Sequence, residues 1–244
     1  MKKMYFVCLL MLTALETVAQ DNQWPSFLER DQRPDGVLYL PAPPDTLSAE
    51  FVGDIAWHQW GRRQRTGERA EQARREASMG LPSMLRFLSE PVGMELSEEK
   101  TPEVAYLVSR VITDGSGATS KAKRHYNRKR PFLFFGDGTL IPEEEATHHT
   151  PSYPSSHSAA GWALALVMAE LVPDRQEQIL KWGFEYGQSR IIAGYHYHSD
   201  VEAARLAASA VVARLHADEA FQKQMKKAKK EILCKQSGKA ERRE

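Results

Sequence analysis

The chain has 244 residues, a formal net charge of +1 and a 42% share of hydrophobic residues. This length suits one large domain with a full core, because single cores stop growing near about 250 residues. A nearly neutral chain gives no sign of a nucleic-acid coat, so we expect no nucleic-acid partner and only local cationic sites.

The first residues are typical of an export signal. An apolar stretch over residues 5–15 follows two lysines and precedes the small-residue sequence Thr17-Val18-Ala19. The stretch is shorter than the about 20 residues of a membrane span, and Glu16 ends it. We therefore predict a cleaved signal peptide over residues 1–19 and a mature protein that is periplasmic or secreted, with an uncleaved anchor as the alternative.

Helical periodicity begins after a polar, proline-rich stretch. Residues 20–46 favour an extended lead-in, and residues 47–217 favour one helical domain. The triplet Gly115-Ser116-Gly117 is expected to break a helix before a basic helical segment over Thr119–Lys129. The predicted helices before that break span residues 47–60, 66–79, 81–88 and 102–112.

A long loop separates the basic segment from the later helices. Phe132–Tyr153 contains glycines, prolines and an acidic run, and loops of this length in a compact domain usually carry function. Within it, only Phe132–Phe135 resembles a strand.

The second half of the chain is dominated by three predicted helices, over residues 155–171, 174–192 and 199–215. The first is apolar on nearly all faces, which favours complete burial. Residues 218–244 are mostly charged and indicate a solvated terminal helix or tail. The predicted fold class is all-α, a single compact helical domain with a buried central helix bundle.

The sequence Pro154-Ser155-Ser156-His157 stands at the start of the buried helix. Serine is a preferred helix cap, and the N–H groups of a first helical turn form a ready anion site. A phosphate group fits such a place. The alternative is a simple cap with His157 on the surface.

Two cations of the basic segment, Lys123 and Arg130, are seven residues apart. Two helical turns would place them on one face, where lysine offers a point charge and arginine a planar fork for phosphate oxygens. We expect the neighbouring Arg124, Arg128 and Lys129 to be solvated. A generic basic helix face is the alternative.

The third pattern is Ser189-Arg190 followed by His196 and, four residues later, Asp200. A carboxylate bound to one histidine nitrogen fixes the tautomer and leaves the other nitrogen to attack or to accept a proton. His196 is therefore the nucleophile candidate, and His198 receives no role. A surface pair of histidine and aspartate is the alternative.

The order and spacing of these patterns resemble the signature of the phosphatidic acid phosphatase type 2 and vanadium haloperoxidase superfamily. The flanking sequences HYNRKRPF, SYPSSHSAAGWA and GQSRIIAGYHYHSDVEAAR are similar to the bacterial class A non-specific acid phosphatases. This similarity extends over nearly the whole mature chain.

The resemblance implies a phosphate site and a mechanism. Lys123, Arg130 and Arg190 would hold the phosphate oxygens, together with Ser155 and the N–H groups of Ser156 and His157. His196 would attack phosphorus to form a phosphohistidine, His157 would protonate the leaving oxygen, and Asp200 would orient His196. It implies no metal or other cofactor, small phosphomonoester substrates, and a homodimer or larger homo-oligomer.

One position departs from the family pattern. The family has Pro-Ser-Gly-His, whereas Ser156 takes the place of the glycine here. Glycine permits close backbone approach, so we expect retained but altered activity. Two other functions use the same residues, a vanadate-dependent haloperoxidase and a catalytically weak phosphate-binding protein. The length and the flanking sequences favour the phosphatase, and the preferred substrate stays open.

Overall fold

The protein is described by a computed structural model over residues 25–147 and 150–240, and these residues form an all-α fold. The predicted fold class is therefore confirmed. No β-strand occurs in this part of the chain, and none of its helices is long and apolar enough to cross a lipid bilayer. The predicted signal peptide and the pair His148-His149 lie outside the described residues.

Residues 25–48 form turns and irregular segments without a helix, and they bury Leu28 and Leu40 in the core. Short 3-10 helices cover Pro142–Thr147 and Pro173–Arg175. The α-helices of the described residues are α1 (Ala49–Arg63), α2 (Gly67–Arg75), α3 (Leu81–Val92), α4 (Pro102–Gly117), α5 (Ser120–Tyr126), α6 (Pro131–Phe135), α7 (Ser156–Leu171), α8 (Gln176–Ala193), α9 (His198–Leu215) and α10 (Glu219–Ala240).

Helix α7 is the centre of the bundle. It packs against α4, α8 and α9, which agrees with its apolar character on nearly all faces. The helix begins where the Ser155 hydroxyl accepts the N–H of Ser158, and it ends before Pro173. The sequence Pro154-Ser155-Ser156-His157 is thereby held at one end of a buried core helix.

Glycines allow the neighbouring helices to approach α7 closely. A Cβ at Gly115 of α4 would lie 3.1 Å from the carbonyl oxygen of Ala159. Helix α4 contains the triplet and ends at Gly117, so the expected break lies directly after the triplet, before α5 begins at Ser120. A Cβ at Gly161 of α7 would overlap the ring of Tyr186 on α8.

Two sequence expectations are wrong. Residues 132–135 belong to the short helix α6, not to a strand, because Pro131 is well suited to the first position of a helix. Helix α10 is solvated on one face only, since Phe221, Met225 and Ile232 are buried and the helix packs against α4.

We predict that Gly161→Ala lowers the free energy of unfolding by about 1–3 kcal/mol, because the new methyl group overlaps a buried ring between two packed helices. Gly53→Ala is the matched control, since Gly53 lies in α1 with nothing within 4 Å of the added atom. That change should raise stability by about 0.5–1 kcal/mol. Urea denaturation measures both, and a Gly161→Ala protein as stable as the parent would contradict the close packing.

Candidate active site

The starts of α7 and α9 are joined by a backbone hydrogen bond from the Ser155 N–H to the Asp200 carbonyl, 3.1 Å long. Ser155 caps α7, and the Asp200 carboxylate accepts the N–H of Tyr197 at the start of α9. Two sequence patterns more than 40 residues apart in the chain are therefore neighbours. Their side chains face one region at the helix ends.

Lys123 and Arg130 also meet there, but not in the predicted way. Helix α5 ends before Asn127, which has a left-handed backbone with a φ of 45°, so no continuous helix connects the two cations. Instead, both hold the end of the long loop. The Lys123 Nζ donates to the carbonyl of Pro151 at 2.6 Å, and the Arg130 Nε donates to that of Thr150 at 2.8 Å.

Arg190 lies in the last turn of α8 and is almost completely buried, at 2% exposure. Its guanidinium lies over the ring of Tyr195, 4.8 Å from the centroid. Among the described residues, its Nε and Nη1 have no hydrogen-bond partner. A buried donor without a partner is costly, so the arrangement calls for an anionic acceptor.

The three cations lie close enough to repel one another. Burial and the charge of Arg130 lower the pKa of Lys123 to about 7. Burial and the charge of Arg190 lower the pKa of Arg130 to about 10. Because carbonyl groups accept hydrogen bonds without neutralising charge, a bound dianion would relieve this repulsion.

His196 lies between a cation and a carboxylate. Its Nε2 is 3.2 Å from the Arg130 Nη1, and its Nδ1 is 3.4 Å from both the Asp200 Oδ2 and the Ser152 Oγ. A guanidinium only donates hydrogen bonds, so neutral His196 presents the Nε2 lone pair to Arg130 and holds its proton on Nδ1. This is the tautomer that a nucleophile using Nε2 requires.

His157 has the opposite tautomer. Its Nε2 lies 2.6 Å from the carbonyl oxygen of Glu76, and a carbonyl only accepts, so Nε2 carries a proton. The ring stacks on Tyr186 with centroids 4.8 Å apart. Burial raises the pKa of the Glu76 carboxyl, which accepts hydrogen bonds from Ser189 and Gln72. Because Nε2 donates its proton to the Glu76 carbonyl, any proton exchange by His157 uses Nδ1.

Ser156 occupies the first turn of α7 with a helical backbone, so the serine is not strained. Its hydroxyl lies 2.7 Å from the Thr119 Oγ1. Because the Thr119 hydroxyl donates to the carbonyl of Ser116, the Ser156 hydroxyl is the donor in their contact. The side chain is thus tied to the link between α4 and α5.

Arg128 was expected to be solvated, and this is wrong. Its side chain is 10% exposed and bonds the carboxylates of Asp200 and Asp54, whereas Arg124 and Lys129 are exposed as predicted. Sequence analysis could not single out Arg128, because the pattern of a basic run does not show which of its cations is buried.

Sequence analysis also did not identify three further residues of the site, Ser152, Glu76 and Asp54. Each reaches the site from a distant segment or through a backbone carbonyl. Only Ser152 stood near a recognised pattern, three residues before Ser155 in the long loop.

Comparison with known proteins gives the family of the chain. The PAP2 superfamily profile matches residues 103–222. A non-specific acid phosphatase of Providencia stuartii is 44% identical over 208 residues, which covers 84% of each chain. One of Salmonella typhimurium is 34% identical, covering 95% of this chain and 93% of its own. An acid phosphatase of Zymomonas mobilis is 32% identical, covering 93% and 89%.

A helical bundle with buried cations and a histidine–carboxylate pair near its helix ends is suited to binding a phosphate group. The chain belongs to the non-specific acid phosphatases of the PAP2 superfamily, and it is an acid phosphatase.

We predict that Ser156→Gly keeps phosphatase activity but weakens inhibition by inorganic phosphate several-fold. The change removes a hydrogen bond and adds backbone freedom worth about 0.5–1 kcal/mol in a helix. Thr119→Val is the matched variant, because it removes the same hydrogen bond from the other side. Equal rates and phosphate affinities in Ser156→Gly and the parent would show that this position does not tune the site.

Proposed function

We propose that the protein is a periplasmic or secreted acid phosphatase that hydrolyses phosphomonoesters through a phosphohistidine on His196, without a metal ion. The observation that carries this proposal is the position of His196, with Asp200 on one ring nitrogen and the donor Arg130 on the other. The export-type sequence of residues 1–19 supports the location.

The substrate phosphate is bound by opposite charge and by directed hydrogen bonds. Lys123, Arg130 and Arg190 surround the phosphate oxygens, and the unfilled Nε and Nη1 of Arg190 supply two directed hydrogen bonds. Ser155 and the N–H groups at the start of α7 complete the cradle, since they precede the first hydrogen bond within the helix. Binding and charge stabilisation are the main needs of phosphoryl transfer.

In the first chemical step, the Nε2 lone pair of His196 gives up its contact with the Arg130 Nη1 and forms a bond to phosphorus, while the bond to the leaving oxygen breaks. His157 transfers the proton on Nδ1 to that oxygen, and its Nε2–H stays bonded to the Glu76 carbonyl. The His196 ring becomes positively charged, and the Asp200 carboxylate stabilises it at Nδ1.

In the second step, water attacks phosphorus and gives a proton to the Nδ1 of His157. The bond between phosphorus and the Nε2 of His196 breaks, which restores neutral His196 and releases inorganic phosphate. The three cations stabilise the charge of both transition states. They supply the charge that a metal ion supplies in other phosphatases.

The alternatives lose support from the comparisons. The relatives are named acid phosphatases, and none of these names describes a haloperoxidase or a binding protein. A homodimer or larger homo-oligomer stays a prediction from the sequence.

We predict that His196→Ala abolishes both turnover and the phosphohistidine, which alkaline quenching and mass spectrometry of the parent should detect. His157→Ala should still form it from p-nitrophenyl phosphate, whose leaving group needs no proton, and should accumulate it because the second step lacks its base. With alkyl phosphates, whose leaving oxygen needs a proton, the rate of His157→Ala should fall by about 10²- to 10⁴-fold. Full activity of His196→Ala would overturn the mechanism.

Phosphate affinity should weaken as the pH rises above about 7. The pKa of Lys123 is lowered to about 7, so the free site holds this positive charge below that pH and loses it above. We predict an inhibition constant for inorganic phosphate that rises between pH 7 and pH 9. Lys123→Arg keeps its charge and should show a flatter rise, although phosphate itself titrates equally in both proteins. Identical pH dependence in the two would contradict this assignment.

A further inference from the structure

Arg128 joins three parts of the fold next to the proposed nucleophile. It lies in the non-helical stretch between α5 and α6. Its Nη1 donates to the Asp200 Oδ1 at 2.7 Å and to the Ser199 Oγ at 2.8 Å, and its Nη2 donates to the Asp54 Oδ2 at 2.7 Å. The guanidinium lies 3.8 Å from the centroid of the Tyr197 ring.

Asp54 fastens this arrangement to α1. Its side chain is 2% exposed, and it accepts the backbone N–H of Ser199 at 2.9 Å and the hydroxyl of the same residue. Buried carboxylates need a charged or hydrogen-bonding partner. One guanidinium serves both Asp54 and Asp200, and the planar fork of arginine suits this double contact.

The contacts of Asp200 are divided between its two oxygens. Oδ1 faces Arg128, whereas Oδ2 accepts the Ser152 hydroxyl at 2.5 Å and the Tyr197 N–H at 2.9 Å, and faces the Nδ1 of His196. Because Oδ1 is held, the carboxylate cannot rotate, and Oδ2 stays on the side of His196.

We propose that Arg128 is a positioning residue that fixes the Asp200 carboxylate and, through it, the His196 ring for attack on phosphorus. This inference rests on the proposed phosphohistidine mechanism. Arg128 differs from Arg190, whose Nε and Nη1 have no partner among the described residues, because both terminal nitrogens of Arg128 already bond carboxylates. It therefore acts through Asp200 and does not bind the phosphate.

Arg128 keeps its positive charge over the pH range in which the enzyme is assayed. Burial alone would lower the pKa of Arg128, but the carboxylates of Asp200 and Asp54 outweigh burial and raise it. Loss of the side chain would leave the Asp200 Oδ1 and the Asp54 carboxylate without their cation. The chemical step should then suffer more than phosphate binding, since small errors of position cost up to about 100-fold in rate.

The test compares Arg128→Met, Arg128→Lys and the control Arg124→Met, which removes an equal charge from an exposed residue of α5. In Arg128→Met we expect kcat per folded enzyme and the rate of phosphohistidine formation to fall about 10- to 100-fold. The inhibition constant for inorganic phosphate should change less than about threefold. Arg128→Lys should recover part of the rate, and Arg124→Met should match the parent.

Parental rates in folded Arg128→Met would overturn the inference. A loss of rate that is fully explained by the unfolded fraction of Arg128→Met would also overturn it, because it indicates a structural role. An equal loss of rate and of phosphate affinity would overturn it as well, because it indicates a role in binding. If Arg128→Met does not fold, Arg128→Lys decides the matter, since it keeps the charge but loses the fork, and a parental rate there overturns the inference. A parent without any phosphohistidine would instead overturn the proposed mechanism, whichever result the variants give.

Discussion

The hydrogen bond between the Ser155 N–H and the Asp200 carbonyl is the contact on which the site depends. It places the first turns of α7 and α9 side by side, and α7 is fixed in turn by α4, α8 and α9. The donors at the start of α7 therefore lie beside Asp200 in the first turn of α9, and His196 lies in the short turn between α8 and α9. The long loop adds the carbonyl groups that hold Lys123 and Arg130.

Charge balance explains why this region should bind an anion. Asp200 is a carboxylate in contact with the site, but its Oδ1 is already committed to Arg128. Lys123 and Arg130 are held by backbone carbonyls, which orient a cation without cancelling its charge. Burial of such cations costs free energy in the protein without a bound anion. Burial and the charge of Arg130 accordingly lower the pKa of Lys123. A phosphate would supply the missing negative charge.

The sequence predicted the helices well where periodicity was long, as in α7, α8 and α9, and it predicted that the cations and the two histidines share one function. It failed where a contact with a distant segment decides the outcome. Arg128, for example, is buried by carboxylate partners on α1 and α9. The five-residue helix α6 is too short for its apolar pattern to separate helix from strand.

The two histidines show how one side chain type can take two roles in one site. His196 faces Arg130, which can only donate, and His157 faces the Glu76 carbonyl, which can only accept. A guanidinium cannot accept and a carbonyl cannot donate a hydrogen bond. Each partner therefore decides which ring nitrogen of its histidine carries the proton. Attack requires His196 to be neutral, whereas donation requires His157 to carry a second proton on Nδ1. Both conditions hold together only over a limited range of pH, because one histidine must be neutral while the other carries two protons.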